Sequence, residues 1–173
     1  MRTWLYSGTF DPFTSGHLDI AVRAARLCDR LVIALYDPAD GSCLFSLEER
    51  AQMILLATSA YDNIKLVRFQ GLVADVFDQV SAEAIVRGVR NAIDLNYEEP
   101  MAHINHALDQ AVETVFLLAK NNLTHVSGSN VRELGKFGRV LPDMVPAVNR
   151  AMVEEKFKEL ARTRQGRSRR NDG

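Results

Sequence analysis

The feature that most narrows what this chain can fold into is a turn joining two different apolar patterns. Thr3-Trp4-Leu5-Tyr6 reads as a buried strand, Leu18-Asp19-Ile20-Ala21-Val22 opens a helical spacing, and Gly8-Thr9-Phe10-Asp11-Pro12-Phe13-Thr14-Ser15-Gly16-His17 connects them. A strand that ends in a glycine-containing turn and opens a helix aims free backbone N–H groups and the positive end of the helix dipole at whatever sits there. Such a turn is a phosphate site. Its spacing is neither Gly-x-x-x-x-Gly-Lys-Ser/Thr nor Gly-x-Gly-x-x-Gly, so two familiar nucleotide fingerprints are excluded.

The rest of the chain repeats the alternation. Thr3–Tyr6, Leu31–Leu35, Ile64–Phe69, Ala84–Val86 and Thr114–Leu118 read as short buried strands, and residues 16–27, 46–59, 71–80, 92–110, 128–136 and 143–160 carry helical spacing. That order predicts an α/β fold, a parallel sheet with helices on both faces and ligands bound beyond the carboxyl ends of its strands. At 173 residues and 47% hydrophobic content the chain supports one substantial core, hence a single domain over 1–160. No stretch is long and apolar enough to cross a bilayer, and nothing resembles a signal peptide, so a cytoplasmic protein without membrane contact is expected. Cys28 and Cys43 lack metal-ligand spacing and are read as unpaired thiols, Cys28 in the core.

The formal net charge is −1, yet residues 161–173 hold Arg162, Arg164, Arg167, Arg169 and Arg170 against Asp172. The remainder is therefore acidic, which argues against nucleic acid as a partner. The basic segment has little to bury and is expected to be a disordered tail. His103 and His106 lie three apart without a third ligand nearby, so no metal site is assigned to them.

Several motifs extend the first turn. Gly-Thr-Phe-Asp-Pro followed by Thr14-x-Gly16-His17 is the T/H-x-G-H signature of nucleotidylyltransferases. Phe45-Ser46-Leu47-Glu48-Glu49-Arg50, Arg87-Gly88-Val89-Arg90, Asp94 with Tyr97-Glu98, Ala102-His103-Ile104-Asn105 and Ser127-Gly128-Ser129-Asn130-Val131-Arg132-Glu133 follow in order. With these, residues 1–160 resemble the bacterial phosphopantetheine adenylyltransferases.

The resemblance implies a single-domain Rossmann-like nucleotidylyltransferase fold and transfer of the adenylyl group of ATP to 4′-phosphopantetheine, with pyrophosphate as the second product. It implies Mg²⁺ carried mainly by the ATP phosphates, a homohexamer, and CoA as a feedback inhibitor. By the same resemblance His17 stabilises charge on the α-phosphate, and Thr9, Phe10, Gly88, Val89, Arg90, Glu98, Leu123, Thr124, His125, Val126, Ser127, Gly128 and Ser129 bind ATP. Thr9, Gly41, Val73 and Arg87 are the acceptor-binding positions.

Three departures stand against that pattern. The family carries a phosphate-contacting lysine at the position of Gly41, beside Ser42, where Asp37 and Asp40 make the loop acidic; Arg68 and Lys120 are the candidate substitutes. Gly128 stands where a third hydroxyl residue is usual, which is expected to loosen the turn. Pro100 is expected to kink or break its helix. Arg87 and Arg90 also admit a plain reading, as surface arginines paired with acids such as Glu83. Cytidylyl transfer, adenylyl transfer to nicotinamide mononucleotide, and a nucleotide- or CoA-binding homologue of low activity remain alternatives.

Overall fold

The computed structural model describes the backbone of residues 1–171 and side chains through Thr163. Five strands form one sheet: β1 (Thr3–Gly8), β2 (Arg30–Tyr36), β3 (Ile64–Phe69), β4 (Ala84–Val89) and β5 (Thr114–Leu118), in the order β3-β2-β1-β4-β5. Every pairing is parallel. The helices are α1 (Ser15–Ala25), α2 (Leu47–Thr58), α3 (Val73–Gln79), α4 (Ala92–Leu108), α5 (Gly128–Gly135) and α6 (Arg150–Asn171). The predicted sheet and its helical crossovers are present, and the strand order reverses between β1 and β4, the point at which an open parallel sheet leaves a crevice.

Alternation along the strands divides the core in two. Leu31, Ile33 and Leu35 of β2 pack with Ile20, Ala21 and Ala24 of α1 and Met53 and Ile54 of α2. Val32 and Ala34 turn to the other face with Leu5, Ile85 and the α3 residues Val76 and Phe77. A period of two in β2 thus satisfies both faces of a covered sheet.

Local chemistry sets where the site helices begin. Thr14 caps α1 and His17 completes a capping box; Ser46 and Glu49 do the same for α2. Ser127 caps α5 through the Asn130 N–H at 3.0 Å.

Two expectations change. α4 runs without interruption through Pro100. Proline removes one N–H, and Asn96, whose carbonyl loses that partner, lies on an exposed turn where water can replace it. The helix α6 continues past the expected boundary at 160 as far as Asn171; residues 172–173 and the side chains from 164 onward, including most of the basic tail, lie outside the described residues. Both cysteines are free, with Cys28 buried. Among the described residues no helix is long and apolar enough to cross a membrane.

Candidate active site

The reversal point opens into a cavity of about 500 Å³, walled by the β1–α1 turn, the end of β4, the start of α4 and the N-terminus of α5. The β1–α1 turn is braced from below. Arg50 is buried, and its guanidinium donates to the carbonyl oxygens of Phe45 (3.0 Å), Thr9 (2.9 Å) and Tyr36 (2.7 Å). One side chain of α2 thereby ties the ends of β1 and β2 together. Buried Asp11 accepts from the Leu44 and Phe45 N–H groups at 2.9 and 2.8 Å, fixing the turn to the chain that enters α2.

Phe10 adopts φ +48°, uncommon for a residue with a side chain, and its ring is buried. That conformation places the ring edge-on to His17, with centroids 5.1 Å apart, while the turn lines the cavity.

His17 reads directly from its partners. The Thr14 N–H donates to Nδ1 at 3.1 Å, so the neutral ring carries its proton on Nε2. Burial, then the charges of Arg87 and Arg90, lower its pKa from 6.5 to about 4. At neutral pH it is an uncharged hydrogen-bond donor on the cavity wall.

The two arginines after β4 are each gripped by a carboxylate, and neither partner is Glu83. Glu98 accepts from Arg87 Nε and Nη2 at 2.6 and 2.7 Å, while Arg87 Nη1 reaches the Ser7 carbonyl. Asp94 accepts from Arg90 Nε and Nη2 at 2.7 and 2.9 Å. A second cavity of about 240 Å³ adjoins the first, lined by Val73, Met101, Ala102, Asn105 and Thr114, and the Arg87–Glu98 pair lies on the walls of both.

Most of the expected residues converge. Thr9, Phe10, His17, Gly88, Arg90, Glu98, Leu123, Val126, Ser127, Gly128 and Ser129 line the large cavity, Val73 lines the small one, and Arg87 lines both. Val89, Thr124 and His125 do not. Val89 is buried in β4, the Thr124 hydroxyl donates to the Asn121 carbonyl at 3.0 Å, and the His125 ring lies 3.5 Å from Asp143. Gly41 also stands outside both linings, in an exposed turn. Arg68 pairs with Glu48 and Lys120 with Asp19, and neither lines a cavity.

A family model described as cytidylyltransferase-like matches residues 5–134. The phosphopantetheine adenylyltransferase of Clostridium novyi (strain NT) is 38% identical over 146 residues, covering 84% of this chain and 91% of that protein. The enzyme of the same name from Clostridium botulinum (strain Hall / ATCC 3502 / NCTC 13319 / Type A) is 37% identical over 146 residues and is covered to 89%. The chain belongs to the phosphopantetheine adenylyltransferase family. The crystal structure of a bifunctional NMN adenylyltransferase/ADP ribose pyrophosphatase from Francisella tularensis shares the fold, with a TM-score of 0.62 at 16% identity over 83% of this chain and 44% of that one.

Set beside the phosphopantetheine adenylyltransferase pattern, Gly128 needs a different account from the one its sequence invites. A Cβ there would stand 2.9 Å from the Asp11 carbonyl oxygen, so the missing side chain lets α5 close onto the β1–α1 turn rather than loosening it. Tyr6, Asp94 and Arg132 also line the cavity without being assigned to it from the sequence, although Asp94 and Arg132 belong to the motifs that follow Arg90 and Ser127. For Arg132 the available signal was its i+3 spacing from Ser129, which puts it over the first turn of the helix.

Proposed function

We propose that this protein joins ATP to 4′-phosphopantetheine, forming dephospho-CoA and pyrophosphate in coenzyme A synthesis. The observation that carries the reading is the meeting of two cavities at Arg87: a large one between two helix N-termini, suited to a nucleoside triphosphate, and a narrower, partly apolar one suited to an extended acyl-carrier arm.

In this reading an acceptor phosphate oxygen attacks the α-phosphorus of MgATP in line. The new P–O bond forms as the bond to the bridging oxygen of the β-phosphate breaks, and pyrophosphate departs. The nucleophile is already ionised, so no general base is required. Thr9 and Arg87 position the acceptor phosphate, and Arg90 holds the nucleotide. Ser127 and Ser129, with the amides that open α5, receive the charge that develops on the leaving group. His17 donates from Nε2 to the α-phosphate oxygen, an interaction that strengthens as charge builds there. Its low pKa keeps it a neutral donor and not a proton source at pH 7. A divalent cation would arrive with the triphosphate, held mainly by the phosphate oxygens.

We extend the reading to assembly and setting. α4 buries none of its residues and exposes Ile93, Tyr97, Met101, Ile104 and Leu108, an apolar face that suits the homohexamer implied by family membership. Free thiols suit the cytoplasm, and CoA, the product with one more phosphate, would compete for the same cavities.

The test is pyrophosphate release measured across ATP, CTP, GTP and UTP, each with 4′-phosphopantetheine, nicotinamide mononucleotide and polyol phosphates. Release with ATP and 4′-phosphopantetheine alone is expected. A preference for CTP or for nicotinamide mononucleotide would replace the acceptor assignment, and binding without release would mark a homologue of low activity.

A further inference from the structure

The last side chain that β1 offers before its turn is a buried hydroxyl. Ser7 is 4% exposed, and the period of two along the strand puts it on the face of Leu5, towards α3. Leu5 pairs with Ile85 of β4, so the same parallel register carried two residues further brings Ser7 beside Arg87. There it lines both cavities, a place it shares with Arg87, Glu98 and the exposed Tyr97.

A serine hydroxyl has one proton to donate and two lone pairs. Among the described residues its one hydrogen-bonding contact is on the lone-pair side. Arg87 Nη1 stands 3.5 Å from Ser7 Oγ, at the limit of hydrogen bonding, because the same nitrogen is drawn to the Ser7 carbonyl. The proton is left without an acceptor, which a buried group tolerates only at a cost, and a ligand atom in the cavity removes that cost. The neighbourhood says which kind of atom. Arg87 gives Nε and Nη2 to Glu98 and Nη1 to the Ser7 carbonyl, so one N–H remains on each terminal nitrogen. The Glu98 carboxylate offsets the guanidinium charge, and an anion held there by the arginine alone is held weakly. N–H groups and an O–H side by side on two neighbouring strands suit the several oxygens of a phosphomonoester better than a single carbonyl.

We propose that the Ser7 hydroxyl donates to a non-attacking oxygen of the acceptor's phosphate, beside Arg87, and so turns the attacking oxygen towards the large cavity. Ser7 is then a binding and orienting residue set where the two cavities meet. That the anion is 4′-phosphopantetheine rests on the adenylyl-transfer reading; the need of the hydroxyl for an anionic acceptor does not.

The experiment is calorimetric titration of 4′-phosphopantetheine, pantetheine and ATP into the full chain and into Ser7→Ala, with thermal melts of both proteins. Loss of a hydrogen bond to a charged group is expected to weaken 4′-phosphopantetheine about tenfold or more in Ser7→Ala. ATP and pantetheine should bind as before, and the melting temperature should not fall, since the free protein loses no well-formed bond. Pantetheine too weak to titrate would place the acceptor's affinity in its phosphate and leave the loss of 4′-phosphopantetheine affinity to decide. Unchanged 4′-phosphopantetheine affinity overturns the proposal. So does an equal loss for pantetheine, which would put the hydroxyl on the arm, and so does a lowered melting temperature with losses for all three ligands, which marks a structural role. Should the wild type neither bind nor turn over 4′-phosphopantetheine, the adenylyl-transfer reading fails and inorganic phosphate becomes the probe. Weaker phosphate binding in Ser7→Ala then keeps the site, and equal affinity ends it.

Discussion

Glu98 clamps the Arg87 guanidinium through both carboxylate oxygens, at 2.6 and 2.7 Å, and so ties α4 to the end of β4 on the wall between two cavities. Charge pairing and ligand binding therefore use the same side chain. Arg87→Ala is expected to raise the acceptor KM about tenfold or more while changing the ATP KM little. Glu98→Ala should also raise the acceptor KM, because the arginine loses its orientation, and the double variant should cost less than the two effects combined. Arg90→Ala should act on ATP instead. Steady-state kinetics on the set decides the matter: additive effects, or an Arg87 variant that impairs ATP and acceptor equally, would remove the assigned division of roles.

His17 serves α1 and the chemistry at once, so its alanine variant mixes two losses. Glutamine at the third helical position can complete a capping box with Thr14. His17→Ala should lower kcat by orders of magnitude and also destabilise the fold by about 1 kcal/mol. His17→Gln should recover stability in thermal melts without recovering kcat. A His17→Gln enzyme with near-normal turnover would mean that the cap, and not the Nε2 donor, is what matters.

The same histidine sets an acid limit. Its folded pKa of about 4 lies below the unfolded 6.5, so between these values the unfolded chain binds the proton more readily. The stability contribution is complete above pH 6.5 and is lost as pH falls towards 4. Denaturant melts should weaken over that window in the wild type and less steeply in His17→Gln. A nucleotide triphosphate should raise the pKa, which an NMR titration of the imidazole resolves; an unmoved pKa would place the ring away from the phosphates.

What the sequence made legible follows from the range of the forces involved. Strands and helices came from local periodicity, and the β1–α1 turn from glycine, threonine and histidine spacing, so the sheet, its reversal point and the ring of residues around it were readable. Contacts across long sequence separations were not. Arg50 reaching the Thr9 carbonyl, Arg132 reaching Asp11 and Gly128 closing on the Asp11 carbonyl each depend on how the β1–α1 turn, α2 and α5 approach in space. Pro100 does not break α4, because a local rule about a missing N–H does not say whether the orphaned carbonyl faces water.

Arg50 supports the site without lining the main cavity. Its guanidinium satisfies three backbone carbonyls and lies 3.3 Å from Asp37, in the interior of the protein. Arg50→Lys retains the charge but not the planar fork, so it leaves buried acceptors unpaired and should cost about 3 kcal/mol in urea unfolding. Loosening of the Thr9 turn should accompany this as a higher KM for both substrates. A lysine variant with wild-type stability would show that the fork is dispensable and that the β1 and β2 ends are held by something else.

The missing lysine gives the last test. Gly41 has φ +64°, a left-handed conformation that strains residues with side chains by about 1–2 kcal/mol, although no atom lies within 4 Å of a Cβ placed there. Gly41→Lys therefore combines a new cation with a distorted turn. Ser42 is exposed and has no such conformation, so Ser42→Lys is the cleaner substitution. A charge-assisted contact with phosphate contributes about 1.5–3 kcal/mol, or about one to two decades in rate when it is made in the transition state. Ser42→Lys is expected to raise kcat/KM for 4′-phosphopantetheine and Gly41→Lys to raise it less, with the gain falling as ionic strength increases. No gain from Ser42→Lys even at low ionic strength would mean that the loop at 37–43 does not approach the acceptor phosphate.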